Sequence, residues 1–157
     1  MLLSADTLRE ASAALRAVAC VACVVLAVPK SARAAADWVS LGGTPTTQGA
    51  VDRASITTEK KQLQAWALFR FSAPQASPGG EYRSQKSLSY FKCADRMIAY
   101  VEHLLYASED GGGEVVYTVT TAPGEIVFAK PESGTMGARI VEFVCAEAAK
   151  KRPKPKP

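Results

Sequence analysis

Apolar positions along this chain follow three regimes. The first is an unbroken run: residues 17–28, AVACVACVVLAV, carry no charge and follow the positive charges Arg9 and Arg16. These 12 residues are too few for a membrane-spanning helix, which needs about 20, and suit the core of a secretory signal. PKSARAAAD, directly after it, offers small-residue cleavage sites at Ala32-Arg33-Ala34 and Ala34-Ala35-Ala36. Residues 1–34 therefore read as a signal peptide cut after Ala34 or Ala36. Cys20 and Cys23 lie inside the run and leave with it. A lipid anchor is the weaker reading, because Ala17-Val18-Ala19 before Cys20 lacks a leucine and apolar residues continue past both cysteines.

The second regime has a period of two. DWVSL at 37–41 places Trp38 and Ser40 on one face, Val39 and Leu41 on the other, and stops at Gly42-Gly43. VDRASI at 51–56 is a short strand, and the polar stretch 57–62 reads as a hairpin turn into LQAWALFRF at 63–71. There Leu63, Ala65, Ala67, Phe69 and Phe71 alternate with Gln64, Trp66, Leu68 and Arg70. A loop rich in Pro, Gly and Ser is expected at 72–80, then a half-exposed strand at 82–93, YRSQKSLSYFKC. After the turn Gly111-Gly112-Gly113, the Val, Tyr and Thr of EVVYTVTT at 114–121 favour extended backbone. A further short strand is expected at 125–129. Between these, two periods compete. Met97, Tyr100, Val101, Leu104 and Leu105 have helical spacing, whereas Met97, Ala99, Val101, His103 and Leu105 alternate as one face of a strand; taken alone, the residues favour the helix.

The third regime begins at Thr135, where Val141, Val144, Cys145 and Ala148 form the stripe of a C-terminal helix capped by Ser133 or Thr135. The Lys/Pro tail at 150–157, KKRPKPKP, reads as an extended, solvated arm.

Charge and cysteine count refine this outline. The signal peptide takes Arg9, Arg16, Lys30 and Arg33 from the 19 basic residues, and Asp6 and Glu10 from the 15 acidic ones, so the net charge falls from +4 to +2. Five basic residues sit in the tail, leaving the folded part, 35–149, with 10 basic against 13 acidic residues. A nucleic-acid-binding domain is not expected from that balance. Cys93 and Cys145 survive processing, and an even count in an exported chain argues for a disulfide. Closing that loop is worth about 4 kcal/mol in the chain-entropy model.

Candidate chemistry is sparse. His103, in an apolar run, is the one histidine of the chain and cannot build a multi-histidine metal site. No G-x-S-x-G elbow is present, and the glycine triplet lacks the lysine of a phosphate loop. Asp52, in apolar surroundings, is the acid to inspect first, with a turn or strand-edge role the expected one. The chain is expected to be non-catalytic, with no cofactor and no metal.

The order of short motifs resembles the surface-adhesin protein E family. They are Trp38, V-D-x-x-S-I (Val51, Asp52, Ser55, Ile56), Trp66, Tyr82-Arg83-Ser84, the aromatic-x-Cys of Phe91 to Cys93, Tyr106 before the glycine turn, and Val144-Cys145. Two departures stand out: Lys92 replaces an acid often found before the first cysteine, and Phe128 stands where a Trp is usual. The resemblance implies an α+β fold, an antiparallel sheet of about six strands with one C-terminal helix tied to it by the disulfide, and it makes residues 94–108 strand. It also implies a cell-surface protein that binds host extracellular-matrix proteins.

The expected function is thus an exported, adhesin-like binding protein, periplasmic or at the cell surface, with a protein partner and no stable membrane span after cleavage. A homodimer is compatible with it. The alternatives are an envelope structural component, or a small-ligand carrier with an apolar pocket lined by Phe69, Phe71, Val101 and Leu105 beneath the helix. Lys150, Lys151, Arg152, Lys154 and Lys156 are candidate contacts to an anionic surface.

Overall fold

The computed structural model describes residues 35–151; the expected signal peptide and residues 152–157 lie outside the described part. Seven strands precede one α-helix: β1 (Trp38–Gly43), β2 (Thr47–Asp52), β3 (Thr57–Glu59), β4 (Gln62–Ser77), β5 (Gly80–Lys92), β6 (Met97–Tyr106), β7 (Val115–Thr120) and α1 (Met136–Lys151). The strands form one antiparallel sheet in the order β1-β2-β4-β5-β6-β7, with β3 added to the start of β4. This is the α+β architecture expected from the sequence, and residues 97–106 are strand.

Local chemistry explains where the elements start and stop. Asp52 ends β2 by capping a single helical turn, Arg53–Ser55; its Oδ1 accepts from the amides of Ala54 at 3.0 Å and Asp37 at 2.8 Å. The strand expected over 51–56 therefore stops at Asp52 and begins earlier, at Thr47. Ser55 Oγ donates to Asp52 O at 2.6 Å and accepts from Trp66 N at 2.9 Å, joining the turn to β4. Within the polar stretch 57–62, only Lys60 and Lys61 turn the chain, both left-handed at φ 48° and 68°, and β3 pairs with β4 around them.

The loop expected at 72–80 is instead the end of a long hairpin. Strand β4 runs to Ser77, and its register against β5 shifts between Arg70 and Gln75, where Pro74 needs no ladder amide. The hairpin tip at Gly79 lies against β7. A Cβ there would come within 2.0 Å of Val116 O, so glycine is required for that approach. Residues 125–129 are not a strand. A turn at Pro123–Glu125 leads into them, and they contribute one two-way bridge in which Ala129 and Ile98 exchange both backbone hydrogen bonds at 2.9 Å.

Register defines the face that α1 covers. Leu63, Phe91 and Ile98 lie side by side, as do Ala65, Ser89 and Tyr100, then Val51, Ala67, Ser87, His103 and Val119, then Phe69, Gln85, Leu105 and Tyr117. Val101 is the extra residue of a bulge in β6, so Tyr100 and His103 share a face. The simple alternation of 97, 99, 101, 103 and 105 is broken there, and Ile98 and Tyr100 take the helix side. Small residues at the centre (Ala65, Ala67, Ser87, Ser89) let the helix approach closely. Ile140, Val141 and Val144 are at most 2 % exposed and pack on Val51, Ile56, Ala67, Phe91 and Ile98. Burying each such side chain contributes about 1.5–3 kcal/mol.

Both ends of α1 are fixed. Thr135 Oγ1 caps the start, accepting from Ala138 N at 3.3 Å. Lys151 Nζ donates to Ile56 O at 2.9 Å and Arg53 O at 3.4 Å. The helix thus takes up Lys150 and Lys151, the first two residues of the expected arm. Midway, Cys145 bonds to Cys93 in the turn after β5, with the Cα atoms 5.5 Å apart.

The opposite face is covered by the loop after β6. Ser84 Oγ, fully buried, donates to Ser108 O at 2.6 Å and accepts from Gly111 N at 2.9 Å, while Gly111 settles on Leu68. Lys92 and Phe128, the two departures from the family pattern, meet each other: the Lys92 ammonium lies 4.1 Å from the Phe128 ring centre. Such a cation–π contact is worth about 0.5–1 kcal/mol at an exposed site.

Two outcomes follow from this frame. Cys145→Ser leaves strand content largely intact, loosens α1 and lowers stability by about 2–5 kcal/mol; two titratable thiols in the processed native protein, or superimposable denaturant melts, would contradict it. Lys61→Gly removes a left-handed non-glycine residue and raises stability by about 1 kcal/mol. A lower denaturant midpoint would show that the β3–β4 turn has another conformation in solution.

Candidate binding surface

The helix covers β2, β4, β5 and the start of β6, where Ile98 is buried under it, and leaves the β7 side of the face open. Tyr100, Tyr117 and Val119 stand there 40 %, 36 % and 43 % exposed. Tyr117 and Val119 belong to β7, an edge strand whose sequence VVYTVT contains no charge and no proline. It carries none of the charged or proline residues that blunt sheet edges against pairing.

A polar cluster forms the floor between these side chains. His103 Nδ1 lies 2.8 Å from both Gln85 Nε2 and Ser87 Oγ, and Gln85 Nε2 also donates to Ser87 Oγ at 2.8 Å. With the amide nitrogen of Gln85 donating, Nδ1 is an acceptor and the ring proton sits on Nε2. The tilted Tyr100 ring is 5.5 Å from the imidazole. Burial holds His103 below the usual imidazole range and raises the Tyr100 phenol above its own.

The Ser87–His103 pair resembles a nucleophile with its base, but its setting differs. Ser87 is fully buried, so its hydroxyl does not meet a substrate, and no carboxylate hydrogen-bonds the imidazole among the described residues. The cluster sets a half-buried imidazole beside the Tyr100 ring. Asp52 is engaged with backbone amides, in the turn role expected of it.

The other sequence candidates fall as follows. Phe69 and Leu105 lie on the helix-bearing face, and Phe71 packs edge-on against Tyr82 with ring centres 5.6 Å apart. They do not enclose a carrier's pocket beneath α1, since Ile140, Val141 and Val144 fill that space. Three surface pockets have other linings. One of about 120 Å³ lies among Arg96, Lys130, Pro131, Ser133, Ala138, Val141 and Glu142. A second adjoins the disulfide, and a third lies beside Lys61 and Phe91. Among the basic candidates, Lys150 pairs with Glu147 and Lys151 holds the backbone carbonyls already described. Arg152, Lys154 and Lys156 lie outside the described residues. Among the described residues, no helix is long and apolar enough to cross a membrane and no cluster of His, Cys, Asp and Glu is arranged to hold a metal ion.

Sequence reasoning missed Tyr100, Gln85 and Ser87 as site residues, and β7 as a presented edge. The uncharged VVYTVT run was the available signal for the edge; the polar cluster needed the β5–β6 register.

The His103 environment sets a pH dependence. The unfolded imidazole takes its proton near 6.5, before the folded one does. Stability is therefore full above that pH and falls as the pH drops from there towards the folded-state value. Melting midpoints measured between about pH 7 and 5 should fall less steeply for His103→Gln than for wild type. Parallel curves would contradict the buried, uncharged imidazole.

The family model for surface-adhesin protein E matches residues 38–146. A crystal structure of protein E from non-typeable Haemophilus influenzae superposes with a TM-score of 0.53 at 13% identity, covering 73% of this chain and 78% of that one. A second structure of Haemophilus influenzae protein E gives 0.50 at 15% identity, over 67% and 82%. No curated protein sequence matches. At these identities the structural likeness concerns the fold, and the family rests on the sequence match over most of the chain. The chain belongs to the surface-adhesin protein E family.

Proposed function

We propose that this protein is an exported, non-catalytic binding protein that holds a protein partner at the cell surface or in the periplasm, using the open β7 side of its helix-bearing face. The carrying observation is the exposure of Tyr100, Tyr117 and Val119 on adjacent strands, around a polar floor and beside an uncharged edge. Tyrosines supply large contact area at low entropic cost, and an uncharged edge offers backbone hydrogen bonds to an extended segment. Membership of a surface-adhesin family and the signal-like leader support export.

The test uses the processed, disulfide-intact protein on immobilised extracellular-matrix proteins and on envelope extract, with cell fractions assayed for the protein in parallel. Saturable binding is expected in one of the two, weakened at least about tenfold by Tyr117→Ser with Val119→Ser while the melting midpoint holds. Saturable binding indifferent to this double variant, no saturable partner in either sample, or retention in the cytoplasm would contradict the proposal.

A further inference from the structure

Arg96 and Lys130 line one surface pocket, in which Glu142 is the single acid beside them. Ile98 pairs with Ala129 in antiparallel register, which brings the segments that carry Arg96 and Lys130 alongside each other. Neither makes an ion pair among the described residues, although Glu142 lines the same pocket.

Both cations are held by rigid anchors. Arg96 closes the turn that starts at Cys93, through Arg96 N to Cys93 O at 3.4 Å, and the disulfide fixes that turn to the middle of α1. Its backbone is left-handed, φ 54°, a conformation that costs a non-glycine residue free energy and gathers at functional sites. Lys130 follows Ala129, whose amide and carbonyl are both bonded to Ile98. The two line the pocket of about 120 Å³ together with Ser133, Glu142 and the apolar Pro131, Ala138 and Val141. A water needs about 10–15 Å³ of such space, so the pocket has room for a carboxylate.

We infer that this pocket receives the carboxylate of a glutamate or aspartate on a protein partner, with Arg96 as the bidentate anchor and Lys130 as the second charge. The inference deepens the function proposed above and rests on it for the partner's being a protein. Pro131, in the pocket wall, and the Tyr100 hydroxyl both lie within 4 Å of a Cβ built at Gly137. The pocket therefore adjoins the aromatic patch, and an acidic residue flanking an apolar stretch of the partner would reach both. An arginine fork favours carboxylate geometry, and the apolar walls reduce screening by water.

The experiment is a titration of the processed, disulfide-intact protein, followed by amide chemical shifts, with a blocked tetraglutamate peptide, its tetraglutamine counterpart and sodium acetate. The glutamate peptide should shift resonances at 96–98, 129–133 and 138–142, and Arg96→Gln should weaken that binding about tenfold. Lys130→Gln should weaken it less, with melts of both variants unchanged. If shifts fall only in the lysine-rich C-terminal residues, or the glutamine peptide shifts the pocket equally, the inference is overturned. It is overturned too if acetate binds as tightly as the peptide, which would mark a small-anion site. Pocket binding that survives while Tyr117→Ser with Val119→Ser leaves partner capture untouched would retain the carboxylate site and remove the function proposed above.

Discussion

A sheet with two apolar faces needs two covers, and here one of them is a single helix that holds its place through a bond to the strand it must cover. A helix of 16 residues is marginal in water by itself. Cys145 joins it to the end of β5 at mid-length, Thr135 caps its start and Lys151 ties its last turn to the carbonyls of Arg53 and Ile56. With three attachments, Ile140, Val141 and Val144 have one place to go: the hollow of alanines and serines at the centre of β4 and β5. What the helix covers determines what it leaves uncovered, and the β7 side becomes the presented surface.

The residues that carry the family likeness are joints of this frame. Asp52 and Ser55 fold the corner between β2 and β4, Ser84 fastens the glycine loop to the opposite face, and Cys93 and Cys145 fix the helix. Their order therefore reports the fold strongly. The proposed partner contacts, Tyr100, Tyr117, Val119, Arg96 and Lys130, lie outside this set. Lys92 and Phe128 make one contact, the cation resting on the ring.

Much of the frame was legible because its chemistry is local. Alternation over 63–71, β-branched residues over 115–120, the stripe from Val141 to Ala148 and the surviving cysteine pair each predict an element that is present. Misreadings arose where one residue has two meanings. Ser87 and Ser89 look polar in the sequence, yet they are buried because they are small. Pro74 and Gly79 look like a loop, yet they serve a bulge and a close approach within one long hairpin. The bulge at Val101 puts Tyr100 and His103 three apart on one face, imitating helical spacing and defeating simple alternation. The Arg96–Lys130 pocket was illegible, since a bridge between residues 98 and 129 is a tertiary event with no local signature.

The central claim is that one face is half sealed and half presented, and amide hydrogen exchange of the disulfide-intact protein tests it most directly. Protection along α1 should match that of β4 and β5, while β7 exchanges quickly and becomes protected only when a partner is bound. Rapid exchange along α1 with the disulfide intact, or a β7 already as protected as β5 in the free protein, would contradict the account.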